Sequence, residues 1–367
     1  MCFSCLKWAL LVAVFGFASA LFCRASEDQS DFNGPKYVVT FGMGYTDFLP
    51  GSLIRMEVRF KNRTQQRETV TQEFVVLDKD RLVVWKTVIN LELGEEGNVK
   101  IPLLIPVPKT AGIFTLTLGH ADEIQKELIP SFEFNVIRPQ KSSRLSKILV
   151  YSPAYEENLN IFLKTWEIKA PNYSWAQVLL LGKEGWAHYI AGDPEISQLI
   201  SRSLRREMSV IFLDFGSSGR DQTTQSKIVL PFDVKVSFNQ LKSPERVFIL
   251  KGGYPELSYG LAKSRVDEWN GSDGFTVPDE EMRFEGKGVR INALATCGVN
   301  PIRFPLVEVI PVSGKGKLYL CQLSTEGRID ETIQPARYER EIPVYDPVAV
   351  QLLLNLISVS VGDDLLK

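Results

Sequence analysis

Histidine and cysteine limit the chemistry that this chain can perform. Only two of its 367 residues are histidines, His120 and His188, and imidazole is the usual general base near neutral pH and the commonest metal ligand. A site built from several histidines is therefore excluded. The lysines and glycines of Gly314–Lys317 lack the spacing of a phosphate-binding loop and precede a strand-like run. The sequence accordingly predicts no metal and no cofactor.

Cysteine chemistry is equally restricted. Beyond the first 25 residues the chain contains Cys297 and Cys321, with no C-x-x-C pair. A disulfide between them is one possibility in an oxidising compartment. Cys321 ends the apolar run Leu318–Cys321, which favours the role of a small buried side chain instead.

Carboxylates offer a second kind of chemistry. Cleavage of a glycosidic bond needs two carboxyl groups about 5–10 Å apart, and among 44 acidic residues some such pair is unavoidable. Asp214 follows the apolar run 208–213 and Glu308 follows another, and we expect Glu308 to face solvent. Both are candidate ligand-binding residues, and convergence of Asp214, Asp193 and Glu308 in one pocket would favour a hydrolase.

Aromatic side chains at the edges of predicted loops suggest sugar binding without catalysis. Aromatic rings can stack on sugar rings while polar neighbours bind hydroxyl groups, although core packing is the alternative for each ring. The candidates in the second half of the chain are Trp175, Trp186, Tyr189, Tyr254, Trp269 and Asn270. Trp269 and Asn270 follow a turn-rich stretch, so we hypothesise that Trp269 contacts a ligand or a partner chain.

Residues 1–25 have the pattern of a secretory signal peptide. Lys7 precedes an apolar run from Trp8 to Phe22, and small residues then recur at alternate positions. The protein is thus expected to be secreted or periplasmic, with no membrane span in the mature chain. An uncleaved anchor and a lipoprotein acylated at Cys23 are alternatives, although bulky Phe22 disfavours the second.

Residues 26–138 alternate between strand and turn patterns, with no amphipathic helix between them. We predict an all-β, immunoglobulin-like sandwich there. The predicted strands are 53–60, 70–77, 82–85, 99–107, 113–118 and 131–137. The polar, proline-containing stretch 139–145 is predicted to be a linker.

Residues 146–367 show apolar strand patterns alternating with helical ones, which predicts an α/β domain with a parallel sheet covered by helices on both faces. The predicted strands are 147–151, 176–181, 208–213 and 317–323. Helices are predicted over 155–166 and 194–206 and after Asp346-Pro347, with Asp193 and Asp346 as N-caps. The stretch 214–300 is expected to be irregular.

The order of short motifs in this second half resembles a known family. The motifs are P-x-L-x-x-G-L at 255–261, W-x-G at 269–271, G-K-G-x-[apolar]3-C-Q-L at 314–323 and D-P-V-A…L-L-x-N-L at 346–356. Together they resemble the glutamine amidotransferase-like, flavodoxin-type domain attached to bacterial glycoside hydrolases, such as β-galactosidase trimerisation domains.

The resemblance implies a scaffold whose catalytic residues are missing. In that family a cysteine nucleophile follows the third main strand and a histidine base comes late in the domain. This chain has Asp214-Phe215-Gly216 at the first position and no histidine after His188. Glutamine hydrolysis is therefore not expected.

The charge balance and the resemblance define the expected function. A formal net charge of −2 gives no excess of basic residues for binding nucleic acid. We expect a non-catalytic accessory or binding protein that binds carbohydrate or assembles with itself or an enzyme. The alternatives are a hydrolase that uses carboxylates at the sheet crevice and a structural envelope protein.

Overall fold

The computed structural model describes residues 37–42, 47–119, 130–216, 228–240, 247–249, 254–261, 280–298, 303–312, 316–323, 325, 328–329 and 346–361. The predicted signal peptide, Trp269, Asn270 and His120 lie outside the described residues. Within the described part, none of the helices combines the length and apolar character that crossing a membrane requires.

Eight strands in two sheets make up the described part of the front half. They are β1 (Tyr37–Gly42), β2 (Asp47–Phe48), β3 (Leu53–Asn62), β4 (Glu68–Leu77), β5 (Val83–Leu93), β6 (Asn98–Pro106), β7 (Gly112–Leu118) and β8 (Ser131–Val136). One sheet has the order β1-β3-β6 and the other the order β2-β8-β7-β4-β5. Each of the six strands predicted here is present, and β5 is much longer than its prediction.

The two sheets pack against each other through alternate side chains. In β3, Ile54, Met56, Val58 and Phe60 are buried while the residues between them are more exposed, as expected for a strand with one face on a core. Phe60 meets Phe74 of the other sheet edge to face, with ring centroids 6.2 Å apart.

A seven-stranded sheet organises the back half. Its strands are β9 (Val150–Tyr151), β10 (Val178–Leu181), β11 (Ser209–Phe212), β14 (Val247–Ile249), β16 (Val289–Cys297), β17 (Arg303–Pro311) and β18 (Lys317–Cys321), in the order β14-β16-β17-β18-β11-β10-β9. The neighbouring pairs β18-β11, β11-β10 and β10-β9 are parallel. The pairs β14-β16, β16-β17 and β17-β18 are antiparallel. The sheet is therefore mixed, and only its β9–β11 and β18 part has the parallel arrangement predicted.

Helices cover both faces of this sheet, and β10 and β11 are buried at every position. Leu180 and Ile211 pack with α1 (Glu157–Thr165) and α4 (Pro347–Ser360). Leu179 and Val210 point to the other face and pack with α2 (Lys183–Ile190) and α3 (Pro194–Arg205). Four consecutive buried residues in both β10 and β11 are typical of a parallel strand enclosed on both sides.

Helix α4 is buried at every position and joins distant segments. Gln351 accepts a hydrogen bond from the backbone N–H of Gln140 at 2.7 Å and donates to its carbonyl at 3.1 Å. Asn355 donates to the carbonyls of Leu257 and Tyr259. The segment predicted as a linker is thus hydrogen-bonded to the back half at Gln140.

Both predicted N-caps are confirmed. The Asp193 carboxylate accepts from the backbone N–H of Glu195, and the Asp346 carboxylate accepts from those of Val348 and Ala349. In each case the carboxylate satisfies donors of the first helical turn, which have no partner within the helix.

The expectation that 214–300 is irregular is wrong. The described part of this stretch contains β14, β16 and a separate sheet of β12 (Ile228–Leu230), β13 (Val234–Gln240) and β15 (Glu280–Glu285), in the order β12-β13-β15. Strand β13 has the apolar alternation Val234, Val236 and Phe238, which is the sequence signal of a half-buried strand. These side chains pack on the same face as α2 and α3.

Candidate functional site

The predicted site residues do not form one site. Trp269 and Asn270 lie outside the described residues. Trp186 is only 1% exposed, its indole N–H donates to the carbonyl of Gly216 at 2.6 Å, and its ring centroid lies 4.1 Å from that of Phe215. A ring enclosed in this way cannot stack on a ligand, so the prediction for Trp186 is wrong: it is a core residue.

Glu308 occupies a buried polar cluster, and the expectation that it faces solvent is wrong. Its side chain is 0% exposed because β17 lies inside the sheet, where Glu308 pairs with Asn292 of β16 and Tyr319 of β18. Four side chains donate to the carboxylate: Tyr319 to Oε1 at 2.8 Å, Lys317 to Oε1 at 3.0 Å, Asn292 to Oε2 at 2.9 Å and Tyr254 to both oxygens at 3.0 and 3.2 Å.

The donors in this Glu308 cluster keep the carboxylate ionised. Burial would raise the pKa of Glu308, but hydrogen bonds from Asn292, Lys317 and Tyr319 and the charge of Lys317 outweigh burial and lower it. Burial would likewise lower the pKa of Lys317, yet Glu308 raises it. The pKa values of Tyr254 and Tyr319 are raised by burial and by the nearby carboxylate.

These protonation states restrict what the cluster can do. General acid chemistry needs a proton on the carboxyl group, and nucleophilic chemistry needs a neutral lysine. The cluster provides neither, and the lone pairs of Glu308 are already used by four donors. Lys317 is the part that reaches solvent, with its side chain 33% exposed. The arrangement therefore joins three strands and the Tyr254 segment rather than activating a substrate.

A second buried carboxylate lies at the start of α2. Oε1 of Glu156 accepts from the backbone N–H groups of Gly182 and Gly185 at 2.8 and 2.7 Å, and Glu156 is almost fully buried. Helix N-termini favour negative charge, which makes them common anion-binding sites. Here the chain's own carboxylate occupies that place, and sequence reasoning missed it because Glu156 is 26 residues from Gly182.

Asp214 and Asp193 do not join Glu308. Asp214 follows β11 with φ at 51°, in the left-handed region. Asp193 lies between α2 and α3, where its Oδ2 is 3.1 Å from Nδ1 of His188. Glu308 is in the middle of β17 on the α4 face, which is opposite the α2 and α3 face. Asp193 and Glu308 therefore lie on opposite faces of the sheet, and among the described residues the three acids do not form one group, which disfavours the hydrolase alternative.

The described cysteines, Cys297 and Cys321, are both buried. Leu306 of β17 pairs with both Ala295 of β16 and Cys321 of β18, so β17 separates Cys297 from Cys321 by two strand spacings, about 10 Å. This exceeds the reach of a disulfide. Burial raises the pKa of the Cys321 thiol, which disfavours the reactive thiolate.

Metal ligands are also dispersed. In the part of the chain that the structure describes, no three His, Cys, Asp or Glu side chains are grouped so that they could hold a metal ion. His188 instead contacts Asp193 and the ring of Tyr155, whose centroid lies 5.1 Å from that of His188.

Comparison with known proteins yields only remote likenesses. The chain matches no protein-family model and no curated protein sequence. Among solved structures, it is similar to a β-glucosidase from Listeria innocua in complex with gluconolactone, at 12% identity and a TM-score of 0.24, covering 31% of this chain and 20% of the glucosidase.

Two further solved structures show likenesses of the same size. A β-glucosidase from Erythrobacter marinus has 8% identity and a TM-score of 0.23 over 28% of this chain and 16% of its own. The alkylpurine DNA glycosylase AlkC from Pseudomonas fluorescens, bound to DNA containing an abasic site analog, has 10% identity and a TM-score of 0.22 over 28% of this chain and 31% of its own. Likenesses this low carry no argument about function.

Proposed function

We propose that this chain is a non-catalytic protein that acts by assembling with a protein partner. The observation that carries the non-catalytic part of the proposal is the Glu308 cluster, where four side chains of the chain itself donate to the buried carboxylate. A carboxylate held in this way stabilises its surroundings and has no free lone pair for a substrate proton.

The other reactive groups of the described residues support the same proposal. Glu156 is hydrogen-bonded to the start of α2, and Cys297 and Cys321 are buried. Catalysis by a nucleophile requires a base within hydrogen-bond reach. His188, the one histidine among the described residues, contacts Asp193 and Tyr155 instead.

The proposal extends to the finer architecture. We propose that the front half is an immunoglobulin-like sandwich and the back half a flavodoxin-type, glutamine amidotransferase-like domain, related to accessory regions of glycoside hydrolases. The packing of the two sheets on each other, in which the rings of Phe60 and Phe74 meet edge to face, supports the first. The helices on both faces of the β9–β11 strands support the second.

A turnover assay tests the non-catalytic proposal. The mature chain from Ser26 is incubated with aryl glycosides, aryl esters and glutamine, beside Asp214→Asn and, as an exposed-acid control, Glu167→Gln, whose side chain is 90% exposed. We expect no substrate to be turned over above the buffer rate by any of the three proteins. Turnover by the wild type that Asp214→Asn abolishes and Glu167→Gln preserves would contradict the proposal.

Carbohydrate binding is a second candidate function, favoured by Trp175. This side chain is 72% exposed, and an open indole face is suited to stacking on a sugar ring. A glycan array probed with the mature chain, Trp175→Ala and Trp269→Ala tests it. Binding that either variant removes supports carbohydrate recognition, whereas an array with no bound glycan contradicts it.

We also propose export through residues 1–25, on the signal-peptide pattern alone. N-terminal sequencing of the protein recovered from the producing cells tests this. A new N-terminus near Ser26 is the expected result, and a chain that still begins at Met1 would contradict cleavage.

A further inference from the structure

Strand β5 is a long sheet edge with one side open among the described residues. It ends the order β2-β8-β7-β4-β5 and pairs with β4 alone. Its eleven residues contain no proline and no glycine. Such an edge presents a row of unpaired backbone N–H and C=O groups, which can pair with another strand.

The other described edges are protected in ways that β5 is not. Strand β6 contains Pro102 and Pro106, which cannot donate to a neighbouring strand. Strand β15 has charged side chains at four of its six positions, and β1 has only six residues. The remaining edges have two or three residues each: β2, β9, β12 and β14. Natural sheets use these features to prevent edge pairing.

The surface around β5 is also apolar. Its described exposed side chains include large apolar groups that are each between 45% and 64% exposed: Leu82, Val83, Val84 and Val88. The opposite face of the strand is half buried against the front-half core through Trp85, Ile89 and Leu91. An added strand would therefore cover apolar side chains as well as satisfy backbone groups.

We infer that β5 pairs antiparallel with β5 of a second copy of this chain, with Ile89 opposite its own copy on a two-fold axis. In that register Lys86 faces Glu92 of the partner copy on the exposed face, and the symmetry creates the contact twice. On the half-buried face Thr87 lies opposite Leu91 of the partner copy. Opposite charges directly across a sheet stabilise the pairing of two strands.

Other registers lose this complementarity. Moving the axis to Val88 places Glu92 opposite Val84, and moving it to Asn90 places Glu92 opposite Val88. An in-register parallel pair would place Lys86 beside a second Lys86, and like charges directly opposite each other are destabilising. A closed two-fold pair also joins the two open edges to each other, so neither remains free.

This inference rests on the proposed assembly function and specifies its partner as a second copy. The test measures the molar mass of the mature chain by sedimentation over roughly a hundredfold range of protein concentration. The variants are Lys86→Glu, Glu92→Lys and the double exchange, with Lys79→Glu as the control because Lys79 is exposed just before the strand.

The inference predicts a characteristic pattern. The wild type and the control dimerise equally, and each single reversal weakens dimerisation by about tenfold because two contacts become repulsive. The double exchange restores the wild-type affinity, and added salt reduces the differences. Circular dichroism of each variant separates weakened pairing from loss of fold.

Two results would overturn the inference. One is a wild type that stays monomeric across the whole range, and the other is a dimer that none of the charge variants weakens. Neither outcome affects the turnover assay, so loss of this dimer and failure of the non-catalytic proposal remain distinguishable.

Discussion

A carboxylate in the back half is enclosed by four donors, whereas an eleven-residue strand in the front half has one side without a partner among the described residues. The first region has polar groups that are satisfied within the chain. The second has polar backbone groups and apolar side chains available to another molecule. Under the proposed assembly, the back half contributes stability and the front half contributes binding.

The largest expected effect comes from breaking the Glu308 cluster. Glu308→Ala leaves Lys317 and two tyrosine hydroxyl groups without their acceptor, and we expect the free energy of unfolding to fall by about 3 kcal/mol. Denaturant unfolding measures this. Glu57→Ala, which removes an exposed carboxylate paired with Arg59, is the matched control and should cost much less, because solvent screens an exposed ion pair. Equal losses of unfolding free energy for both variants would contradict the view that the enclosed Glu308 carboxylate stabilises the fold more than an exposed one does.

The start of α2 should be nearly as sensitive. A Cβ atom at Gly185 would lie 2.7 Å from Oε1 of Glu156 and 3.0 Å from Cδ2 of Leu181. We expect Gly185→Ala to destabilise the fold by about 2 kcal/mol, because a close-packed site must shift to admit it. Gly94→Ala is the control, since no atom lies within 4 Å of its Cβ position. A stabilised Gly185→Ala variant would show that Glu156 is not held as described.

Acid should lower the free energy of unfolding because it protonates Glu308. The pKa of this carboxyl group is lowered in the folded chain from the ordinary value of 4.5, so the unfolded chain binds the proton more tightly. The stabilisation is complete above pH 4.5 and is lost as the pH falls through the lowered folded value. Unfolding curves across this range should show a smaller acid dependence for Glu308→Gln than for the wild type. Identical dependences would contradict an ionised Glu308.

The smallest expected effect is at Trp175. Because this side chain is largely exposed, Trp175→Ala should change the free energy of unfolding by less than about 0.5 kcal/mol. Thermal unfolding measures it. A loss of several kcal/mol would show that Trp175 belongs to a packed region and is unsuitable as a binding group.

Local signals allowed much of the fold to be predicted from the sequence. Asp193 and Asp346 were recognisable as caps because an N-cap depends on the few residues that follow it. The alternation in β3, the continuous apolar run of β10 and the mostly apolar sequence of β11 also reflect nearby residues. The six front-half strands therefore follow from the sequence pattern. Strand β5 extends well past its prediction: beyond the apolar residues at its start, polar residues alternate with apolar ones, and this weaker pattern also belongs to the strand.

The polar clusters could not be predicted in the same way. Glu308 is buried because Tyr254 and Asn292, 54 and 16 residues away, are brought beside it by the sheet order. Nothing in the pattern around Glu308 indicates these donors, and a single glutamate in an apolar run is usually exposed. The burial of Trp186 is equally hidden from the local pattern, since Phe215 and Gly216 enclose it from a distant strand end.

Hydrogen exchange at different protein concentrations tests the contrast between the two regions most directly. Amides of β5, Val83–Leu93, should exchange more slowly as the concentration of the mature chain rises over roughly a hundredfold range, because pairing with a second copy protects them. Amides of β17, Arg303–Pro311, should exchange at the same rate throughout. Exchange in β5 that is independent of concentration, or a change in β17 alone, would contradict the account.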